Sequence, residues 1–124
     1  MTDVVLYEVR NRVAWLTLNR PGQMNAQNDA MVHRLLELFN EINRDDDVLA
    51  AVITGAGEKA FSAGADLKEV SGGGFDIFER VGSDPWPYLN KPIIAAIRGY
   101  CLAGGFELAR RCAGVSSICV GRRL

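Results

Sequence analysis

Two short segments of the 124-residue chain combine small residues with the start of a predicted helix. The first is the run AFSAGADLKE at residues 60–69, and the second is Gly104-Gly105-Phe106-Glu107. Backbone N–H groups at a helix start have no partner within the helix and lie at the positive end of its dipole. Two such starts that face one point could therefore hold a negatively charged oxygen between them, which is the chemistry of an oxyanion hole.

Small residues at these turns would let a substrate carbonyl approach the backbone closely, which is how we interpret Gly64, Ala65, Gly104 and Gly105. Ordinary loop glycines are the alternative for each turn taken alone. Glu107 follows Gly104 within the first turn of the predicted helix, where its carboxylate could orient water or transfer a proton. A glutamate there could also simply stabilise the helix through its dipole.

Hydrophobic periodicity predicts the elements that position these turns. Two β-rich runs at residues 4–9 and 13–18 indicate an opening hairpin. Apolar residues at helical spacing then predict an amphipathic helix of about four turns that begins at Asp29, with Asn28 as its N-cap. The aspartates at 45–47 end this helix.

Two further runs, at residues 49–54 and 93–97, have the composition of buried strands, and one precedes each turn. This alternation of strands and helices predicts an α/β domain built from ββα-type units.

The chain resembles the crotonase family, also called the enoyl-CoA hydratase/isomerase superfamily, in five ordered segments from about Val4 to Ala109. These segments are Asn19-Arg20-Pro21 with Asn25-Ala26, residues 52–55, the AFSAGADLKE run, residues 90–97, and Gly99-Tyr100 leading into residues 104–109. The resemblance implies a fold of the ClpP/crotonase type, a spiral of ββα units that is incomplete in this chain.

The same resemblance implies an acyl-CoA thioester as substrate, with the N–H groups of Ala65 and Gly104 as oxyanion donors and Glu107 in acid/base catalysis. It implies contacts to the CoA moiety from backbone groups of Ala63, Ala65 and Asp66, from Leu67, and from Lys68, with Lys59 also near the phosphates. Surface lysines are usually only solvated. Asp66 could equally be a structural acid of the first helical turn.

Other chemistries find little support in the sequence. His33 shares a solvated helix face with Asp29 and Glu37, so we predict no catalytic histidine. Ser62 has no candidate base near it, which argues against a serine-nucleophile triad. Trp15 is predicted to lie in the core.

Composition argues against several classes of protein. The net charge of −1 gives no field that would recruit nucleic acid or an anionic membrane surface. We expect a cytoplasmic protein, because no apolar run reaches membrane-spanning length and the N-terminus lacks a basic signal region. The three cysteines are irregularly spaced, so no metal site and no disulfide framework are predicted. No cofactor is expected beyond coenzyme A as part of the substrate.

The last segment departs from the family pattern. We assign residues 1–109 to the N-terminal part of a crotonase-like domain and residues 110–124 to an atypical tail with four arginines and no acidic residue. The resemblance places the second acidic residue of the hydratases, and the helices that form the family's trimer or hexamer, beyond this chain. A frameshift or premature stop in an ordinary crotonase-like gene would explain this.

Two hypotheses follow. The chain is either an enzyme of the enoyl-CoA hydratase/isomerase type, with hydration of a 2-enoyl-CoA as its reaction, or a truncated, catalytically incomplete remnant that at most binds CoA thioesters.

Overall fold

The computed structural model describes residues 3–66, 68, 90–102, 105, 108, 118 and 119. Within these residues lie a helix, a short 3-10 helix at Pro21–Gln23 and seven strands. The helix, α1, spans Asp29–Arg44. The strands are β1 (Val5–Arg10), β2 (Val13–Leu18), β3 (Ala50–Gly55), β4 (Ala60–Ser62), β5 (Ile93–Ile97), β6 (Tyr100–Cys101) and β7 (Ile118–Cys119).

Five strands form the main sheet, in the order β1-β2-β3-β5-β7. The predicted hairpin is confirmed: β1 and β2 are antiparallel, and Asn11 and Arg12 turn the chain between them with φ angles of 51° and 66°. Such positive φ angles at both loop residues match the twist of the flanking strands. The later neighbours β2/β3, β3/β5 and β5/β7 are all parallel.

Strand β7 lies within the segment that we describe as an atypical tail. Ile118 pairs with Ala96 and Cys119 pairs with Ile97, at the edge of the sheet next to β5. The composition of this segment did not indicate a strand, because a two-residue strand shows no periodicity.

Helix α1 covers one face of the sheet and forms the core with it. Its buried residues include all five that the helical spacing predicts, namely Met31, Leu35, Leu38, Phe39 and Ile42. They pack in one cluster with the alternate residues Ala14, Leu16 and Leu18 of β2. Burying a side chain of this size contributes about 1.5–3 kcal/mol, so this layer contributes much of the stability.

The prediction that Trp15 lies in the core is wrong. In β2 the buried residues are Ala14, Leu16 and Leu18, so Trp15 points to the opposite face of the sheet and is half-buried. The guanidinium carbon of Arg10 lies 4.9 Å from the centre of its ring. A tryptophan with a cation over its ring can remain at a surface because the ring face attracts positive charge.

The N-cap of α1 is as predicted, and its removal provides a test. Asn28 Oδ1 accepts a hydrogen bond of 2.9 Å from the N–H of Met31. We expect Asn28→Ala to lower the free energy of unfolding by about 1 kcal/mol, since a helix-end donor loses its partner. Asn40→Ala, at an exposed position within the same helix, should instead be neutral or slightly stabilising in urea unfolding. Equal losses in both variants would contradict the capping role.

Among the helices in the described residues, none is long and apolar enough to cross a membrane.

Candidate active site

A small parallel sheet places side by side the two strands that precede the predicted donor turns. Strands β4 and β6 pair through Ala60↔Tyr100 and Ser62↔Cys101, and the N–H of Leu102 donates to the carbonyl of Ser62 at 3.0 Å. In parallel strands the carboxyl ends lie side by side. The segment after Ser62 and the segment after Cys101 therefore start from neighbouring points. Neither short strand was predicted from the sequence.

Gly105 packs directly against the end of β4. A Cβ atom at this position would lie only 2.3 Å from the carbonyl oxygen of Ser62, so no larger residue fits without moving the backbone. Its N–H donates to the carbonyl of Leu102 at 2.8 Å. We predicted that Gly105 lets a substrate approach the backbone closely. In the structure, the segment that approaches Gly105 closely is the end of β4.

In the turn at residues 63–66, three of the four backbone N–H groups have acceptors inside the protein. Ala63 donates to the carbonyl of Met24 at 3.0 Å, Gly64 donates to Ser62 Oγ at 3.1 Å, and Asp66 donates to the carbonyl of Gln27 at 2.9 Å. The N–H of Ala65 has no acceptor among the residues that the structure describes. Since buried backbone donors almost always have a partner, an open N–H at this half-buried residue is notable.

The pairing of this turn explains the direction of that N–H. Gln27 and Ala65 form a parallel bridge, in which the N–H of Gln27 donates to the carbonyl of Gly64 at 2.7 Å and the carbonyl of Gln27 accepts from Asp66. Residue 65 therefore presents its own N–H and C=O away from Gln27. Gly64 has a φ of 95°, a conformation that glycine adopts without strain and other residues rarely do.

A cluster of fully buried polar side chains supports the turn, and sequence reasoning missed it. Asn25, Gln27 and Ser62 are all at most 2% exposed. Ser62 Oγ donates to the carbonyl of Asn25 at 2.8 Å, and it accepts from Gln27 Nε2 at 3.4 Å. The Ser62 hydroxyl is thus engaged with the backbone, in agreement with our rejection of a serine nucleophile.

The side chain of Asn25 joins three separate segments. Its Oδ1 accepts from the N–H of Arg20 at 2.9 Å, and its Nδ2 donates to the carbonyls of Ala56 and Ala60 at 3.0 and 2.8 Å. A polar run, Asn25-Ala26-Gln27-Asn28, was the available sequence signal for this cluster. Polar runs usually indicate exposed loops, which is why its burial could not be inferred.

The carboxylate of Asp66 has a structural role. Its Oδ2 lies 3.0 Å from Arg20 Nη1, and its Oδ1 accepts from the N–H of Lys68 at 3.0 Å, as a helix N-cap does. Because the N–H groups of Ala63 and Asp66 are bonded within the protein, any backbone contact from these two residues to CoA falls to their carbonyl oxygens.

The remaining predicted site residues are placed as follows. Leu67, Gly104 and Glu107 lie outside the described residues. Lys59 and Lys68 are both exposed. His33 is exposed and its Nε2 lies 3.3 Å from Asp29 Oδ2, one helical turn away, as expected for a solvated face.

Cys101 is a free cysteine, and burial raises the pKa of its thiol. Within the described part of the chain, no group of three or more potential ligands is arranged to hold a metal ion.

The fold and the turn geometry define an N-terminal part of a crotonase-type protein. The family model for enoyl-CoA hydratase/isomerase matches residues 8–115, most of the chain, and the chain therefore belongs to the enoyl-CoA hydratase/isomerase family.

Two named relatives agree with this assignment. The short-chain-enoyl-CoA hydratase of Clostridium acetobutylicum is 40% identical over 114 residues, which cover 87% of this chain and 44% of that protein. The (E)-benzylidenesuccinyl-CoA hydratase of Thauera aromatica is 41% identical over 113 residues, with the same coverage of 87% and 44%.

A solved structure gives the same result. The crystal structure of a probable enoyl-CoA hydratase/isomerase from Mycobacterium abscessus superposes with a TM-score of 0.83 at 41% identity, over 96% of this chain and 46% of that one. The chain thus spans about half the length of the relatives that it matches.

Proposed function

We propose that the chain acts on acyl-CoA thioesters as an enoyl-CoA hydratase, with the N–H of Ala65 as one oxyanion donor. The observation that supports this most is the hydrogen-bond pattern of residues 63–66. Every N–H of the turn except that of Ala65 is bonded inside the described part of the protein, and the bridge to Gln27 directs this one outwards. A fixed, unpartnered donor is what an oxyanion hole requires.

The proposed reaction is the addition of water across the 2,3-double bond of an enoyl thioester. Negative charge develops on the carbonyl oxygen as an enolate forms, and preorganised N–H donors stabilise that charge more strongly than they stabilise the neutral substrate. Gly104 is proposed as the second donor, and Glu107 as the carboxylate that orients water or transfers a proton.

For the CoA moiety we propose contacts from the carbonyls of Ala63 and Asp66, from Leu67 and from Lys68. Lys68 is exposed and directly follows the turn, where an ammonium group could reach a phosphate. No cofactor is proposed beyond coenzyme A within the substrate. A cytoplasmic location is part of the same proposal.

The proposal specifies the thioester but not the acyl group. Two relatives of nearly equal identity, 40% and 41%, are named for different acyl groups, one short-chain and one benzylidenesuccinyl. Overall similarity therefore does not select one of them for this chain.

Turnover of crotonyl-CoA by the purified chain tests the proposal, followed as the loss of the conjugated thioester absorbance. We expect turnover that Glu107→Gln abolishes, with circular dichroism showing that both proteins are folded. Binding of butyryl-CoA without any turnover of crotonyl-CoA would instead support the second hypothesis, a catalytically incomplete protein that binds CoA thioesters. A folded chain that binds neither compound would refute both.

A further inference from the structure

A largely buried ion pair includes the residue that follows the proposed oxyanion donor in the chain. Arg20 Nη1 and Asp66 Oδ2 are 3.0 Å apart, and their side chains are only 17% and 13% exposed. Asp66 is the residue that follows Ala65 in the chain. The carboxylate of the pair therefore belongs to the neighbour of the residue at which the proposed reaction develops negative charge.

The charge of Asp66 alone would oppose that reaction. Two negative charges close together in a partly buried site repel each other, and the repulsion is stronger where water is excluded. The guanidinium of Arg20 places a positive charge against the carboxylate and offsets it. Exposed ion pairs contribute little because water screens them, but this pair is mostly shielded from solvent.

Arg20 also holds the geometry of the turn. The same Nη1 donates to the carbonyl of Ala26 at 2.7 Å, and Ala26 adjoins Gln27, the bridge partner of Ala65. One guanidinium group thus joins residue 26, on one side of the bridge, to residue 66, on the other. This arrangement fixes the bridge that directs the Ala65 N–H.

We propose that Arg20 is a positioning residue of the oxyanion hole, which offsets the Asp66 charge and holds the Ala65 N–H in its direction. This inference rests on the proposed function of Ala65. It assigns no contact between Arg20 and the substrate.

A pair of ligands isolates the carbonyl interaction. Butyryl-CoA carries a thioester carbonyl and does not undergo hydration, whereas S-butyl-CoA is the thioether without that carbonyl. We call the dissociation constant of S-butyl-CoA divided by that of butyryl-CoA, both measured by calorimetry, the carbonyl preference. A change that only destabilises the fold lowers the amount of folded protein but leaves this ratio unchanged.

The two members of the ion pair should then have opposite effects. We expect Arg20→Met to reduce the carbonyl preference about tenfold, because the Asp66 carboxylate next to the donor then lacks the positive charge of Arg20. Asp66→Asn should keep or increase the preference, since it removes the repelling charge. The double variant should recover most of the loss seen in Arg20→Met.

Arg12→Met is the matched control. Arg12 also bonds to distant backbone carbonyls, with Nε 3.3 Å from the oxygen of Asp47 and Nη2 3.2 Å from that of Asp46, but it is exposed and away from the turn. Its removal should leave the carbonyl preference unchanged. Arg20→Lys, which keeps the charge, should stay closer to wild type than Arg20→Met.

The outcomes separate this inference from the proposed function. A folded Arg20→Met protein with the wild-type preference would overturn the positioning role alone, as would a loss in Asp66→Asn equal to that in Arg20→Met. If Arg20→Met does not fold, Asp66→Asn and Arg20→Lys test the inference instead. A large loss of the carbonyl preference in both variants would overturn the positioning role of Arg20. A wild-type chain without any carbonyl preference would overturn the function of Ala65, and the role of Arg20 with it.

Discussion

Replacing Ala65 by proline is expected to slow crotonyl-CoA hydration about 10²–10³-fold, the usual effect of removing one oxyanion donor. Proline lacks the N–H but removes no internal hydrogen bond here, since the Ala65 N–H has no acceptor among the described residues. The preceding residue is Gly64, which has no Cβ to clash with the ring. The melting temperature shows whether the variant keeps its fold. The carbonyl preference should fall as well, a readout that does not depend on turnover.

Ala63→Pro provides the contrast. The N–H of Ala63 donates to the carbonyl of Met24 at 3.0 Å, so proline there removes a structural hydrogen bond and should lower stability. Replacing Ala65 by lactic acid through peptide ligation removes the same N–H without the proline ring. An Ala65 variant of either kind with undiminished hydration and carbonyl preference would show that this N–H does not bind the substrate carbonyl.

Asn25→Ala is expected to lower the free energy of unfolding by about 3–5 kcal/mol. The change leaves the buried carbonyl of Ala60 without the partner that Asn25 supplies, at a cost of about 1–3 kcal/mol. The N–H of Arg20 and the carbonyl of Ala56 lose the same partner but are only partly buried, so water offsets most of their loss. Asn25 also has a φ of 53°, a conformation that costs alanine roughly 1 kcal/mol more than asparagine. Urea unfolding measures the difference.

Asn11→Ala separates the contribution of the backbone conformation from that of the side-chain hydrogen bonds. Asn11 has nearly the same φ angle, 51°, but it lies exposed in the β1–β2 turn. It should lose only the backbone contribution, about 1 kcal/mol. Similar losses in the two variants would mean that the buried hydrogen bonds of Asn25 contribute little.

The sequence predicted the elements that have strong local signals. Helix α1 with its cap at Asn28, the opening hairpin and the strands β3 and β5 follow from periodicity and turn residues, and their bounds agree within one residue. The resemblance supplied the family and the spiral of ββα units. The small residues of the turn at Ala65 led to its assignment as an oxyanion donor, which stays a prediction; the hydrogen bonds that leave its N–H open were not foreseen.

The missing parts depend on contacts between distant segments. Strands β4 and β6 have three and two residues and are defined by their pairing with each other. The buried side chains of Asn25 and Ser62 interact across 37 positions, and nothing in either local sequence indicates that burial. Trp15 was misplaced because alternation along a strand separates two faces but does not reveal which face the helix covers.

The direct test of the central claim is the amide resonance of Ala65 in a chain labelled with ¹⁵N-alanine, recorded while butyryl-CoA or S-butyl-CoA is added. A hydrogen bond to the thioester carbonyl should move the Ala65 amide proton downfield with butyryl-CoA and leave it nearly unmoved with S-butyl-CoA. Equal responses to the two compounds at saturation, or no response to either, would contradict the assignment of Ala65 as the oxyanion donor.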